Sequence, residues 1–187
     1  MQKEAEKFDT SMMAVVKLTS EKVIELCRDF SDVYPVNFNC PGQVTVSGLS
    51  SQMTEFSASV KAAGGRAIPL RVKGAFHSPF MDRAASEFEK VLSETEKGEC
   101  KITLYSDLTA EPYTDDVTGL LSRQICNPVK WEKIIRRMIA DGVDTFIEIG
   151  PGKALSGFMK KIDKSMRVFN VEDMASLNNT LKGLTGE

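Results

Sequence analysis

One histidine, His77, is the residue whose type and setting most directly suggest chemistry. It lies in residues 74–81, Gly-Ala-Phe-His-Ser-Pro-Phe-Met, where the glycine and the proline are typical of a loop. Imidazole titrates near neutral pH, so a histidine in such a loop is a candidate general base. The sequence contains no Gly-x-Ser-x-Gly, the strained turn that commonly presents a nucleophilic serine. We therefore predict half of an acyl-transfer site; the simpler alternative is a surface or helix-capping histidine.

Three other groups of residues have both a chemical and a structural interpretation. Residues 150–152, Gly-Pro-Gly, form a corner that could hold an anion at a helix N-terminus, although we favour a tight turn with positive φ. Asn37 and Asn39 precede a turn at residues 40–42, where amides usually serve structure and less often line a cleft. Basic residues on the later helices are either solvated or a docking patch for an acidic partner. They are Lys130, Lys133, Arg136, Arg137, Lys153, Lys160 and Lys161.

Composition narrows the class of protein. The chain has 187 residues, of which 42% are hydrophobic and 27% charged, and this suits one ordinary or two small soluble domains. A formal net charge of -2 argues against a nucleic-acid partner, and no apolar run approaches the ~20 residues of a membrane span. The four cysteines are scattered and accompany a single histidine, so we expect no metal site, reduced thiols and a cytoplasmic location. Residues 1–7 are charged, and we expect no signal peptide there.

Hydrophobic periodicity in residues 11–73 predicts the order β-α-β-β-α-β, which is the ferredoxin-like pattern. The strands are expected at residues 11–18, 34–39, 43–48 and 66–72. Thr19 is expected to cap the first helix, and Ser50 or Ser51 the second. Pro69 lacks a backbone N–H, so the last strand should lie at an edge of the sheet.

After His77 the pattern changes to helices that alternate with few strands, which indicates α/β architecture. Helices are expected at residues 80–97, 114–125, 129–140, from the 150–152 turn to 162, and at 172–184, with strands at 100–108, 143–149 and 166–171. About three strands are too few for a complete sheet, so we expect its central strands to come from elsewhere. The predicted domains are a small subdomain at 11–73 and a second subdomain at 74–187, with residues 1–10 as a lead-in.

Four stretches, taken in order, resemble the malonyl-CoA:acyl carrier protein transacylase family and the acyltransferase domains of polyketide synthases. They are residues 35–48, Pro-Val-Asn-Phe-Asn-Cys-Pro-Gly-Gln-Val-Thr-Val-Ser-Gly, residues 74–81, residues 127–131, Asn-Pro-Val-Lys-Trp, and residues 148–155, Glu-Ile-Gly-Pro-Gly-Lys-Ala-Leu. The similarity covers essentially the whole chain. It implies an α/β fold with an α+β insert: a ferredoxin-like subdomain joined to the C-terminal part of an α/β-hydrolase-like acyltransferase subdomain.

The same resemblance implies that functional parts of the family lie outside these residues. Family members carry an upstream Gly-Gln-Gly-type oxyanion loop, a Gly-His-Ser-x-Gly elbow with the nucleophile, and an arginine for the malonyl carboxylate in a stretch that ends Arg-Gly-x-x-Met-Gln. Met1 and Gln2 resemble the end of that stretch. We therefore expect the nucleophile upstream, the missing segment or self-association as a partner, and little activity from this chain alone.

The activity implied by the resemblance is malonyl transfer from coenzyme A to the phosphopantetheine thiol of acyl carrier protein in fatty-acid biosynthesis, through a serine acyl-enzyme. The coenzyme A thioester is then a substrate, and no bound cofactor is expected. His77 would be the base, oriented by the main-chain carbonyl of Lys130. Asn39 would line the cleft, and Phe76 and Ser78 would contact the substrate. The bulky ring of Phe76 would disfavour methylmalonyl by about 1–3 kcal/mol per methyl. The residues that would dock the acidic carrier protein are Arg136, Arg137, Lys160 and Lys161.

Two other functions stay open at this stage. The chain could be a non-catalytic fragment or module that binds the carrier protein through its basic residues, in which case His77→Ala would leave binding intact. It could also be the acyltransferase portion of a polyketide synthase, in which case further synthase modules would follow Glu187.

Overall fold

The computed structural model describes residues 1–186. They form two compact units, of which the first runs from Met1 to Ile134 and the second starts at Ile135. This division differs from the predicted boundary between residues 73 and 74, because the stretch from 74 to 134 groups with the small sheet. The assignment of 11–73 and 74–187 to separate subdomains stays a prediction.

The first unit opens with a short helix and continues with a four-stranded sheet. Its elements are α1 (Gln2–Ala5), β1 (Thr10–Val16), α2 (Ser20–Cys27), β2 (Val33–Cys40), β3 (Gln43–Leu49), α3 (Ser50–Ala62) and β4 (Arg66–Lys73). All strand pairs are antiparallel, and the order across the sheet is β2-β3-β1-β4. The predicted β-α-β-β-α-β order is confirmed. Strand β4 lies at an edge, as Pro69 predicts.

The starts of the two helices follow different rules. Thr19 Oγ1 accepts a hydrogen bond from the Lys22 N–H at 3.3 Å, so Thr19 is the N-cap of α2 as predicted. Helix α3 starts at Ser50 without a side-chain cap. The predicted cap by Ser50 or Ser51 is wrong, because the Ser50 hydroxyl donates to the Asp9 carboxylate at 2.9 Å and ties the helix to the lead-in instead.

The two helices and the sheet enclose one apolar core. Its most deeply buried members are Val15, Val23, Val44, Val46, Met53, Phe56 and Val60. The Phe56 ring also meets the Phe30 ring edge to face, with centroids 5.6 Å apart. Strand β4 pairs with β1 of this sheet, and the loop that carries His77 leaves directly from the end of β4.

The rest of the first unit is helical and irregular. It contains a 3-10 turn (Pro79–Met81), α4 (Asp82–Glu94), α5 (Val117–Arg123) and the start of α6 (Trp131–Ala140). The predicted strand at residues 100–108 is wrong, because within residues 1–186 that stretch has only an isolated bridge between Tyr105 and Pro112. An extended segment becomes a strand only when a partner supplies a hydrogen-bond ladder.

Val129 extends the small sheet beside β2. The Phe38 N–H donates to the Val129 carbonyl at 2.9 Å, and the Val129 N–H donates to the Val36 carbonyl at 2.8 Å. These two bonds hold the segment that follows α5 against the sheet. They also hold the end of α5, which provides the hydrogen-bond partners of His77.

The second unit contains a parallel pair of strands with two helices. Its elements are β5 (Thr145–Ile149), α7 (Ala154–Ile162), β6 (Arg167–Val171) and α8 (Met174–Thr185). Strands β5 and β6 pair in parallel, and α7 provides the crossover that such a pair requires. Ile149 of β5 is 81% exposed although it is a large apolar residue. None of the helices in residues 1–186 is both long and apolar enough to cross a bilayer.

Candidate active site

The position of His77 is determined by two consecutive carbonyls at the end of α5. The His77 N–H donates to the Ile125 carbonyl at 3.1 Å, and the ring atom Nδ1 lies 2.9 Å from the Gln124 carbonyl. His77 has φ +60, an uncommon value for a residue with a side chain, and these two bonds stabilise it. A carbonyl can only accept, so Nδ1 carries the hydrogen, and in the neutral ring Nε2 then has the free lone pair. The half-buried ring therefore offers Nε2 as a proton acceptor.

The prediction that the Lys130 carbonyl orients His77 is wrong, because that carbonyl is used elsewhere. It accepts the Ile134 N–H at 3.0 Å in the first turn of α6, and the Lys130 N–H donates to the Asp107 carbonyl at 3.1 Å. The orienting carbonyl belongs to Gln124, which lies shortly before Lys130 in the sequence. Spacing alone does not distinguish the two, and only the tertiary contact does.

Two residues near the histidine were missed from the sequence. Tyr113 donates from its phenol oxygen to Oε1 of Gln124 at 2.9 Å. Asp107 is half-buried; burial raises the pKa of its carboxyl, and the neighbouring His77 lowers it, with a net rise. Asp107 lies in the segment where a strand was predicted and Tyr113 lies shortly after it, and no motif in the sequence marks either residue.

The neighbours of His77 in the sequence serve mainly to build its loop. Ser78 is 1% exposed, and its hydroxyl donates to the Ala75 carbonyl. The predicted contact of Ser78 with substrate is corrected accordingly, because a buried hydroxyl already engaged in the loop has no surface to offer. The Phe76 ring is half-buried and packs against an apolar cluster that includes Met81 and Ile125. Its predicted place beside the acyl group stays a prediction.

Asn39 has a partner within the small sheet. Its side-chain N–H donates to Thr45 Oγ1 at 3.1 Å across the β2–β3 hairpin. This contact favours the structural interpretation of the amide that is usual for such residues near a turn. Its predicted role in lining the cleft stays a prediction.

The Gly-Pro-Gly corner of the second unit is occupied by the chain's own carboxylates. The Gly152 N–H donates to Glu172, and the N–H groups of Leu155 and Ser156 donate to Glu148. Gly150 and Gly152 both have positive φ, as a tight turn requires. The arrangement favours the turn over an anion site, because the amides at the start of α7 already have anionic partners.

The predicted docking residues all lie in the second unit and are exposed. They are Arg136 and Arg137 on α6 and Lys160 and Lys161 on α7. Arg137 already has an ion-pair partner within the chain, since its Nε lies 3.0 Å from both carboxylate oxygens of Asp141. Within residues 1–186 no group of three or more His, Cys, Asp or Glu side chains could hold a metal ion.

Comparison with known proteins places this geometry in a family. The model described as acyl transferase domain matches residues 3–184. The malonyl CoA-acyl carrier protein transacylase of Bacillus subtilis (strain 168) is 36% identical over 184 residues, which are 95% of this chain and 58% of that protein. The corresponding enzyme of Staphylococcus aureus (strain MSSA476) is 34% identical over 171 residues, which are 88% of this chain and 56% of that protein.

Solved structures agree with the sequence relatives. The malonyl CoA-acyl carrier protein transacylase from Clostridium perfringens is 38% identical with a TM-score of 0.91, and the match covers 98% of this chain and 62% of that one. A type II PKS acyl-carrier protein in complex with its malonyl-transacylase gives 30% identity and a TM-score of 0.92, over 97% and 62%. The chain thus spans less than two thirds of the length of these proteins. Its small sheet, its His77 loop and the residues that follow them lie within the matched range, and the chain belongs to the acyl transferase domain family.

Proposed function

We propose that this chain provides the base-carrying portion of a malonyl-CoA:acyl carrier protein transacylase. Curated relatives with that activity in their names are 34% and 36% identical to it. The observation that carries the proposal is the contact between His77 Nδ1 and the Gln124 carbonyl at 2.9 Å. An imidazole held in this way presents Nε2 to a hydroxyl, which is the arrangement that a general base in acyl transfer needs.

In the first half-reaction, a serine supplied from outside these residues attacks the malonyl thioester of coenzyme A. Nε2 of His77 accepts the serine proton as the O–C bond forms, and the Gln124 carbonyl stabilises the imidazolium through Nδ1–H. The C–S bond then breaks, and Nε2–H returns the proton to the departing thiolate. The products are free coenzyme A and a malonyl ester of the serine.

The second half-reaction reverses these roles with a different thiol. The phosphopantetheine thiol of acyl carrier protein gives its proton to His77 Nε2 while its sulfur attacks the malonyl ester. The ester C–O bond breaks, and the serine oxygen takes the proton back. The malonyl thioester of coenzyme A is therefore a substrate, free coenzyme A is a product, and no bound cofactor takes part in the proposed steps.

The acyl preference is proposed to come from Phe76. Its ring packs against the apolar cluster that contains Ala84 and Ala85, and this packing restrains the ring. A methyl branch on the acyl group would meet this ring, and one methyl is worth about 1–3 kcal/mol in such a pocket. Phe76→Ala should lower the malonyl to methylmalonyl ratio of kcat/KM by about tenfold or more. An unchanged ratio would remove Phe76 from the pocket.

Carrier-protein docking is proposed for the basic residues of the second unit. Hydrogen bonds from Ser165 lower the pKa of Asp163, and the charge of Arg136 lowers it further. Arg136 thus lies near the end of α7, where Lys160 and Lys161 also lie. These positive charges would attract an acidic carrier protein, mainly by raising the association rate.

Charge reversal tests the docking surface. Arg136→Glu combined with Lys160→Glu should raise KM for acyl carrier protein about tenfold and leave KM for malonyl-CoA nearly unchanged. Lys101→Glu, an exposed lysine of the first unit, is the matched control. An equal rise in the control variant would indicate a general charge effect and remove the specific surface.

The central test joins this chain to the part of the Bacillus subtilis relative that it does not match, in the order in which that relative carries the two parts. We expect malonyl transfer, and we expect His77→Ala to lower kcat/KM by about 10²–10⁴-fold, the usual contribution of a general base. Lys101→Ala is the control and should retain full transfer. Transfer that survives His77→Ala would contradict the base. Capture of acyl carrier protein without any transfer would favour the non-catalytic binding module.

We also propose a cytoplasmic location, with neither nucleic acid nor membrane as a partner. The four cysteines, Cys27, Cys40, Cys100 and Cys126, are free thiols, as a reducing compartment requires. Burial raises the pKa of Cys27 to about 12, so this thiol is an inert part of the core. Fractionation of the host cell, followed by detection of the chain, tests the location.

A further inference from the structure

We propose that Tyr113 is a positioning residue for His77 and acts through Gln124. The phenol of Tyr113 donates to the side-chain oxygen of Gln124 at 2.9 Å. The main-chain oxygen of the same glutamine lies 2.9 Å from His77 Nδ1. A single residue therefore connects the phenol with the imidazole.

Gln124 is placed so that its side chain can affect its carbonyl. It is the C-cap of α5, where a carbonyl extends beyond the helical ladder and is open to a donor from outside the helix. The side chain and the carbonyl share one Cα, so a fixed side chain limits the rotation that aims the carbonyl. The contact with Tyr113 thus restrains the direction from which His77 Nδ1 is held.

Tyr113 is itself well anchored. Its main-chain N–H donates to the Leu104 carbonyl at 2.8 Å. Burial raises the pKa of its phenol, a hydrogen bond with Ser106 lowers it, and the charge of Asp107 raises it again, with a net rise. The phenol is therefore protonated at neutral pH and able to donate. Tyr113→Phe removes this donor and keeps the ring.

The role of Tyr113 rests on the proposed function of His77 as a base, but its test requires no acyl transfer. His77 is the single histidine, so the tag-free, ¹⁵N-labelled chain gives one set of imidazole signals by NMR. The ¹⁵N shifts report which ring nitrogen carries the hydrogen. We expect Nδ1–H in the wild-type chain. Tyr113→Phe should reduce the ratio of Nδ1–H to Nε2–H about fivefold, the factor that one ordinary hydrogen bond supports.

Two further variants separate positioning from general loosening. Gln124→Met removes the acceptor and should give a similar reduction, while the double variant should give no larger one because the two residues act through one contact. Tyr34→Phe is the matched control, since Tyr34 donates to the Ser31 carbonyl at 3.0 Å and not to Gln124. It should leave the ratio unchanged. The amide exchange rate of His77, which reports its bond to Ile125, should stay the same in Tyr113→Phe.

Several results would overturn the positioning role. They are an Nε2–H tautomer in the wild-type chain, an unchanged ratio in Tyr113→Phe, additive reductions in the double variant, and an equal reduction in Tyr34→Phe. Malonyl transfer is measured separately. Absence of transfer in the hybrid with the Bacillus subtilis segment, together with the expected tautomer shifts in this chain, would refute the proposed function and leave the positioning role intact.

Discussion

The two sheets of the molecule differ in how much apolar surface they bury by themselves. In the first unit, the antiparallel sheet and its two helices bury Val15, Val44 and Phe56 completely. In the second unit, the parallel pair β5–β6 leaves Ile149 81% exposed. The first sheet has a finished core, whereas the second presents a large apolar side chain to water at the last residue of β5.

Connectivity explains the contrast. Antiparallel neighbours such as β2 and β3 are joined by a tight turn, so residues 10–73 can complete a core among themselves. A parallel sheet needs a crossover for each added strand, and its neighbours come from far away in the sequence. We infer that the small sheet carries its own stability and that the second unit depends more on what covers β5.

The largest expected effect comes from the finished core. Phe56→Ala removes a fully buried ring and should lower the free energy of unfolding by about 3–5 kcal/mol. Ile149→Ala is the matched truncation in the second unit and should change it by about 0.5 kcal/mol or less, because the side chain is exposed. Urea denaturation followed by circular dichroism measures both values. Equal losses in the two variants would break the comparison.

The next effect concerns association between copies of the chain. Exposed apolar residues on a short strand favour self-association, so we expect the wild-type chain to form dimers or larger species. Ile149→Lys should weaken that association at least about tenfold, which corresponds to about 1.4 kcal/mol. Val91→Lys on α4 is the control, since Val91 is also exposed but lies outside the strand. Sedimentation velocity measures the change. A monomeric wild-type chain, or an equal effect of the control, would contradict this prediction.

The same contrast explains which parts of the fold could be predicted. The cap at Thr19 and the edge strand with Pro69 follow from local signals, and so does the alternation within residues 10–73. The strand expected at 100–108 has the right alternation, in which Ile102 and Leu104 are apolar. A strand, however, requires a partner, and that requirement is non-local.

The candidate site was predictable to the same extent. His77 could be recognised by its residue type and its loop. Its partner Gln124 is 47 residues away, so the identity of the carbonyl depends on how α5 is held against the small sheet. The prediction named the carbonyl of Lys130 instead of that of Gln124, and the error therefore concerns a tertiary contact. Ser78 shows the same limit, because burial of its hydroxyl is a property of the folded loop.

A smaller effect on stability is expected from the helix starts of the first unit, where α2 has a side-chain cap and α3 has none. Thr19→Ala removes the acceptor for the Lys22 N–H and should lower the free energy of unfolding by about 1 kcal/mol. Ser51→Ala on α3 is the matched control and should have almost no effect, because α3 starts without a side-chain cap. Thermal and urea unfolding measure the two variants side by side. A loss of stability in Ser51→Ala as large as that in Thr19→Ala would contradict the absence of a side-chain cap on α3.

In the second unit, a carboxylate on β5 caps the start of α7, and this contact should respond to pH. The Glu148 carboxylate on β5 accepts the Leu155 N–H at 3.1 Å, the Ser156 N–H at 2.8 Å and the Ser156 hydroxyl at 2.7 Å. Burial raises the pKa of Glu148, but the hydrogen bonds from Ser156 and Leu155 lower it to a value below its ordinary 4.5. A folded-state pKa below the unfolded value means that the carboxylate stabilises the fold above pH 4.5. That contribution is lost as the pH falls through the folded-state pKa.

Glu148→Gln should therefore lower the stability of the second unit by about 0.5–1 kcal/mol at pH 7, since an amide oxygen is a weaker acceptor than a carboxylate. The variant should also lose part of the acid dependence below pH 4.5, because no proton binds at that position. Glu94→Gln, an exposed carboxyl at the end of α4, is the control and should keep the wild-type pH profile. Amide exchange at α7 as a function of pH follows the second unit directly. A profile that is the same in all three proteins would mean that β5 and α7 are held together by their apolar contacts alone, and the two units would then differ less than their sheets suggest.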